Sequence, residues 1–395
     1  MSDSLRLLVA AFGDPGHAFP AIALARALRA RGHDVVVESW DRWREPVEDL
    51  GLRFAAAEEY TVFPPPPQGI YADAADAAIA LRPLLDDLRP DAVVSDILTL
   101  APTLAAEAAG CRLATLIPHV YPVHEPGQPF FAFGWMPSRT PIGRAAWRAA
   151  LPMLIGGLET GREELNESRA RVGLPPVERF HGGISERLAL VATFPQLEYP
   201  RGWPAGVRVT GPMSFELPYE DVAMPPGSEP LVLVAPSTSQ DPRCRLLRSA
   251  FDALADEPVR VIGTTNRHEP PEPIAVPANA RCVEWISYSQ AMREADLVVC
   301  HGGHGTIARA LSEGVPVLSC PAVGDMAENG ARVQWAGAGL MVPWRLTGAA
   351  SIRWAVRQLL GEPRFAGRAR EFAAWAADND GAVRGAQLVE ELART

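Results

Sequence analysis

Residues 300–316 read CHGGHGTIARALSEGVP, with His301 and His304 standing among Gly302, Gly303 and Gly305 between an apolar run and a helical pattern. Three chemistries use such residues. A metal site needs a third ligand, yet no His, Cys or carboxylate follows at ligand spacing and there is no H-E-x-x-H. A nucleophile needs a G-x-S-x-G elbow or a reactive Cys–His signature, and neither occurs. Phosphate binding fits best. Small residues let the backbone approach a ligand, and a helix opening near Thr306 offers free N–H groups and the positive end of its dipole. Histidine and threonine add side-chain donors.

A second phosphate chemistry shares the stretch. Gly303-x-Gly305-x-x-Ala308 matches the dinucleotide fingerprint, with Asp325 20 residues beyond Gly305. A nicotinamide or flavin enzyme of Rossmann type is therefore an alternative. Against it, Asp325 falls in a loop past the strand VPVLSC, and at least two strands of the same unit precede the glycines.

Alternating strand and helix patterns must position this loop. A strand over Leu5–Phe12, the turn GDPGHAFP, the helix AIALARALRARG and the strand HDVVVES form a unit that implies a parallel sheet. DAVVSD (91–96), RLATLI (112–117) and LALVAT (188–193) read as further strands, apolar without clean alternation, as in a sheet covered on both faces. The Pro-, Gly- and acid-rich stretch 211–230 reads as a linker. After it the pattern restarts with LVLVAP, the helix RCRLLRSAFDALAD, VRVIGTT, DLVVC and VPVLSC. The expected class is α/β, with two doubly wound domains over 1–212 and 230–375 joined by 213–229. Two stretches, 60–71 and 119–160, crowd aromatics and prolines without periodicity. They are packed irregular loops or the walls of a site for a flat apolar molecule. Phe12, Phe63, Tyr71, His119, Tyr121, Phe131 and Trp135 are the candidate wall residues.

Composition narrows the function classes. The 395-residue chain is long for one core, and its net charge of -10 disfavours nucleic acid or anionic membrane as a partner. It contains no lysine, which removes Schiff-base, pyridoxal-phosphate and P-loop mechanisms. Five cysteines without a C-x-x-C pair suggest buried thiols in a reducing compartment. The opening MSDSLRLLVAAFGDPG lacks the basic start of a signal peptide, and no apolar run is long enough to span a membrane. A cytoplasmic protein is expected.

Three separated segments, in order, carry a resemblance. HGGHGTIARALSEGVPVLSCPAVGDMAENGARV (301–333) resembles the donor signature of the family 1 nucleotide-sugar glycosyltransferases of GT-B fold. It is most similar to the bacterial enzymes that decorate polyketides, macrolides and enediynes. GHAFPAIALARALRARGHDVV and PDAVVSDILTLAPTLAAEAAG (90–110) resemble the family's N-terminal segments, and GAGLMVP and DNDGAVRGAQLVEEL its C-terminal end. The resemblance implies two Rossmann-like domains facing across a cleft, with a last helix (376–395) returning to the first. It implies His17 as the base that deprotonates an acceptor hydroxyl and Asp96 as the carboxylate that orients it. His301, Gly302, Gly303, Gly305 and Thr306 then cradle the diphosphate, with Ser237 and Thr238 as further donors. Trp285 and Ile286 hold the base, and Asp325 and Met326 meet the sugar. The co-substrate implied is a dTDP-sugar or UDP-sugar, with no metal and no cofactor.

Two residues depart from the family pattern. Arg309 stands where relatives using ribonucleotides often carry a ribose-gripping glutamate, and arginine cannot accept those bonds. Met326 stands where glutamine commonly grips a hexose. Both lean towards a dTDP-deoxysugar. The one D-x-D, at 378–380, reads as a solvated helix start. The expected function is inverting glycosyl transfer to a small hydrophobic or aromatic natural product. The alternative within the same fold is a non-catalytic protein that binds a sugar nucleotide.

Overall fold

In the computed structural model, residues 4–59, 74–237, 241–321 and 324–395 are described. The first half runs β1 (Arg6–Ala10), α1 (Pro15–Ala30), β2 (Asp34–Trp40), α2 (Arg44–Asp49), β3 (Arg53–Ala57), α3 (Ala74–Leu88), β4 (Ala92–Asp96), α4 (Leu100–Ala108), β5 (Leu113–Ile117), α5 (Pro141–Arg171), β6 (Ala189–Val191) and β7 (Val207–Val209). The second runs β8 (Leu231–Ala235), α6 (Arg245–Leu254), β9 (Arg260–Thr264), β10 (Ala280–Val283), α7 (Tyr288–Glu294), β11 (Leu297–Cys300), α8 (His304–Ser312), β12 (Val317–Ser319), α9 (Asp325–Ala336) and β13 (Gly339–Met341). Helices α10 (Ala349–Gly361), α11 (Pro363–Asp378) and α12 (Gly381–Arg394) close the chain.

The strands form two parallel sheets, ordered β3-β2-β1-β4-β5-β6-β7 and β10-β9-β8-β11-β12-β13. Strand direction alternates side chains between faces, so β1 sends Leu7 and Val9 into the core under α1 and α12 and Leu8 into the core under α3 and α4. That double burial explains why the strands read as continuous apolar runs. In both sheets the winding reverses between the first strand and its neighbour, at β1/β4 and β8/β11. Open α/β sheets bind ligands at such reversals, beyond the carboxyl ends of the strands.

The last helix returns to the first domain. Ala386, Val389 and Leu392 of α12 join the core formed by β1 and α1. Glu390 accepts from Arg31 Nη2 at 2.8 Å and His33 Nε2 at 2.6 Å. Gly381 is required for the approach, since a Cβ there would lie 2.2 Å from the Gly211 carbonyl. Asp380 of the D-x-D caps this helix, accepting from the amides of Ala382 and Val383. A buried seam ties α9 to the first domain: Arg332 Nη1 meets Glu198 Oε2 at 2.6 Å, and its Nε meets Glu328 Oε1 at 2.8 Å.

One stretch differs from the sequence reading. Residues 119–160 were expected to be irregular throughout, whereas α5 starts inside them at Pro141, with Thr140 accepting from the Gly143 amide as N-cap. Along its 31 residues only Leu165, Ser168 and Arg169 are buried. A helix that buries so little has no apolar stripe to announce it.

The Arg31 and His33 contacts hold the Glu390 carboxyl down to about 2. A depressed carboxylate stabilises the fold above its unfolded value of about 4.3, and the contribution is lost as pH falls towards 2. Glu390→Gln should therefore lower unfolding free energy at pH 7 by about 1–2 kcal/mol. In urea titrations the gap should close near pH 2; a gap unchanged by pH would contradict this account.

Candidate functional site

His17 sits in the first turn of α1, and Asp96 is the last residue of β4, on the strand beside β1. His17 Nδ1 lies 2.8 and 3.0 Å from the two Asp96 oxygens. A carboxylate only accepts, so Nδ1 carries the hydrogen and Nε2 presents a lone pair. The Asp96 side chain is fully buried and also accepts from the Leu98 amide at 2.9 Å, while the His17 side chain keeps 16% exposure. Burial by itself would lower the imidazole pKa. The Asp96 charge and hydrogen bond outweigh it, with smaller help from Asp325 and Asp14, and the net shift is upward.

Aromatic rings surround this pair. Phe12 meets His17 edge-on at 5.9 Å and Trp40 at 4.9 Å. His119 lies 6.0 Å from His17 and 6.0 Å from Phe131. Its Nδ1 donates to the Val120 carbonyl at 2.7 Å, and burial pushes its pKa down. Two other candidate wall residues are placed apart. Tyr121 is buried beside Trp203, under the Arg201 guanidinium, and Trp135 is 60% exposed against Trp147. Phe63, Tyr71 and Thr238 lie outside the described residues.

The glycine loop stands at the corresponding place in the second sheet, after β11. Gly302 has φ +89°, and a Cβ there would meet the Met326 carbonyl at 2.8 Å. A Cβ on Gly303 would strike the His301 ring at 2.4 Å, whereas Gly305 opens onto free space. Helix α8 begins at His304, two residues before the sequence reading placed it. Its first helical bond runs from the Ile307 amide to the Gly303 carbonyl, so the amides of His304, Gly305 and Thr306 have no partner within the helix. His301 is held by its Nδ1 to the Ala235 carbonyl at 3.2 Å, and burial lowers its pKa. Ser237 lies buried just after β8.

Asp325 opens α9 with Met326 beside it, and its charge favours the protonated form of His17, His119, His301 and His304, although only His17 ends with its pKa raised. Asn329, one turn on, donates to Asp325 Oδ2 at 3.0 Å and to the Gly302 carbonyl at 3.1 Å. Sequence reasoning missed that brace; its signal was the four-residue spacing from Asp325. Trp285 lies under the Arg267 guanidinium at 4.9 Å, and the Ile286 side chain is in the core. Arg309 is 15% exposed and turned to the linker, donating to Glu216 Oε2 and the Phe215 carbonyl, both at 2.8 Å. Among the described residues no group of three His, Cys, Asp or Glu is arranged to hold a metal, and no helix is long and apolar enough to cross a membrane.

Residues 248–391 match the family model described as erythromycin biosynthesis protein CIII-like, C-terminal domain, and residues 21–184 match that of glycosyltransferase family 4. The chain is 31% identical to 4'-demethylrebeccamycin synthase of Lentzea aerocolonigenes, over 98% of this chain and 99% of that one. It is 28% identical to O-mycaminosyltylonolide 6-deoxyallosyltransferase of Streptomyces fradiae, over 99% and 98%. The fold is shared with the glycotransferase of kitacinnamycin (TM-score 0.78, 21% identity, 98% of this chain and 99% of that). It is also shared with a Streptomyces sp. SF2575 glycosyltransferase complexed with thymidine diphosphate (TM-score 0.68, 21% identity, 98% and 99%).

The Asp96 contact decides the proton affinity of His17. In Asp96→Asn the attraction disappears and burial remains, so the His17 pKa should drop below the ordinary imidazole value of about 6.5. Histidine ring NMR across pH 4–9 measures this; a His17 titration unmoved by the substitution would refute the assignment of cause.

Proposed function

The chain belongs to the natural-product glycosyltransferases of GT-B fold, and from that premise we propose an inverting transfer of a sugar from a nucleoside diphosphate to a hydroxyl of a small hydrophobic or aromatic natural product. One observation supports this above the others. A histidine with its tautomer fixed by a buried carboxylate feels the charge of Asp325, which Asn329 ties to the glycine loop ahead of a helix start with free amides.

The steps follow from those groups. His17 Nε2 takes the acceptor hydroxyl proton, and Asp96 stabilises the imidazolium that forms. The acceptor oxygen bonds to the anomeric carbon from the face opposite the diphosphate. The carbon–oxygen bond to the diphosphate breaks, and its electron pair leaves with the nucleoside diphosphate. The amides of Gly305 and Thr306 and the His301 side chain meet the charge that develops there. In this reading no metal or cofactor is called upon. Asp325 meets the sugar, and Phe12, His119 and Phe131 wall the acceptor. Cleft closure excludes water during the displacement.

A dTDP-deoxysugar is the favoured donor, with a UDP-sugar as the second choice. Residue 309 is an arginine, bonded to Glu216 and the Phe215 carbonyl, and cannot itself accept from ribose hydroxyls. Met326 offers a thioether where a hexose hydroxyl would want a partner. The thymidine diphosphate complex and the 6-deoxyallosyl relative support the same choice. In a melting assay, dTDP should raise Tm more than UDP at equal concentration; the reverse order would rule out the donor preference.

His17→Ala should cut transfer by about 10²–10⁴-fold while dTDP still raises Tm. The base must be neutral to act, so kcat/KM should fall on the acid side. Because Asp96 raises the His17 pKa, that limb should lie above about 6.5. Native transfer rates in His17→Ala would remove the base assignment.

A further inference from the structure

We propose that His304 is a proton-switched counter-charge for the diphosphate: its imidazole is neutral in the empty site, takes up one proton as the diphosphate arrives, and then donates from Nδ1 to a phosphate oxygen. The inference rests on reading the start of α8 as the diphosphate site and adds a residue and a proton to it.

Geometry points to this ring. His304 is the first residue of the nine-residue α8, and only 7% of it is exposed. Its Nε2 faces the Ala192 carbonyl of the first domain at 3.4 Å. A carbonyl only accepts, so in the neutral ring Nε2 holds the hydrogen and Nδ1 is a bare lone pair. That Nδ1 is buried and has no partner. An unsatisfied buried polar atom beside free helix amides marks a place where a ligand completes the bonding.

Charge selects the same ring. A nucleoside diphosphate brings at least two negative charges, and the chain has no lysine to meet them. Arg309 of α8 is committed to Glu216, and Arg332 of α9 to Glu198 and Glu328. With the arginines of α8 and α9 paired, the glycine loop itself offers imidazoles, and the Nδ1 of His301 is already bonded to Ala235. Burial, helped by His119 of the segment after β5 and by Arg332, takes the His304 pKa down to about 4. Asp325 of α9 and the Ala192 carbonyl oppose that shift. The ring is thus uncharged near neutrality while the site is empty. An anion in contact can raise a buried group's pKa by up to about three pH units, which suffices to protonate this one. A neutral ring avoids burying an unpaired cation in the empty protein.

Calorimetric titration of the intact protein with dTDP, in buffers of different ionisation enthalpy, counts the protons taken up. At pH 6 the wild type should take up about one proton more per dTDP than His304→Gln, and bind about tenfold more tightly. His301→Asn should keep the extra proton. Equal uptake in wild type and His304→Gln, or its loss in His301→Asn alone, would overturn the proposal. In ¹⁵N-histidine NMR of the wild type, which needs no variant, the His304 ring should change from neutral to doubly protonated on adding dTDP; an unchanged ring would also overturn it. Failure of dTDP to bind at all would remove the diphosphate site itself, whereas binding without the extra proton removes only the role of His304.

Discussion

The reversal of strand order at β1/β4 and at β8/β11 is the constraint on which the chemistry rests. Connections leave the two central strands in opposite directions, so a crevice opens beyond their carboxyl ends that no helix fills. In the first sheet it receives His17 after β1 and Asp96 from β4. In the second it receives Ser237 after β8 and the glycine loop after β11. In the proposed function the same device serves twice, once for a proton acceptor and once for an anion. Facing one crevice with the other turns two binding folds into a transferase.

Electrostatics in the cleft are set by burial and by which charges escape it. The His17, His119, His301 and His304 imidazoles all experience desolvation as the largest influence, and it lowers their proton affinity. Only His17 also has a carboxylate in direct contact, and only His17 ends with its pKa raised. One ring is thereby made basic among neighbours held neutral, which is the separation an acid–base site needs. The Asp325 charge acts on His17 and His119 of the first domain and on His301 and His304 of its own, so the two domains share one electrostatic environment here. The Arg332–Glu198 seam anchors α9, and with it Asp325, against the first domain.

Much of this was readable in the chain. The strands that read as apolar runs are the buried central ones, and the glycine loop announced itself because close backbone approach allows only small residues there. Asp96 and His17 lie 79 positions apart, and their pairing needed either the resemblance or the fold. The strands β3 and β7, at the sheet edges, are partly exposed, and β7 is only three residues long. Helix α5 buries too few residues to show a period. Glu216 and Glu198 sit 93 and 134 positions from the Arg309 and Arg332 they pair with, where no local pattern can point. Tyr121 and Trp135 share an aromatic-rich segment with His119 and Phe131, and composition could not separate the two pairs, which the fold sends to different places.

In the proposed reaction a departing diphosphate is gripped where β11 gives way to α8, opposite His17 in the first turn of α1. A crystal structure with dTDP bound tests it most directly. Diphosphate oxygens should lie against the amides of Gly305 and Thr306, with the terminal phosphate directed at Asp325 and the His17 ring beyond. A nucleotide seated elsewhere, or one whose terminal phosphate points away from His17, would contradict it.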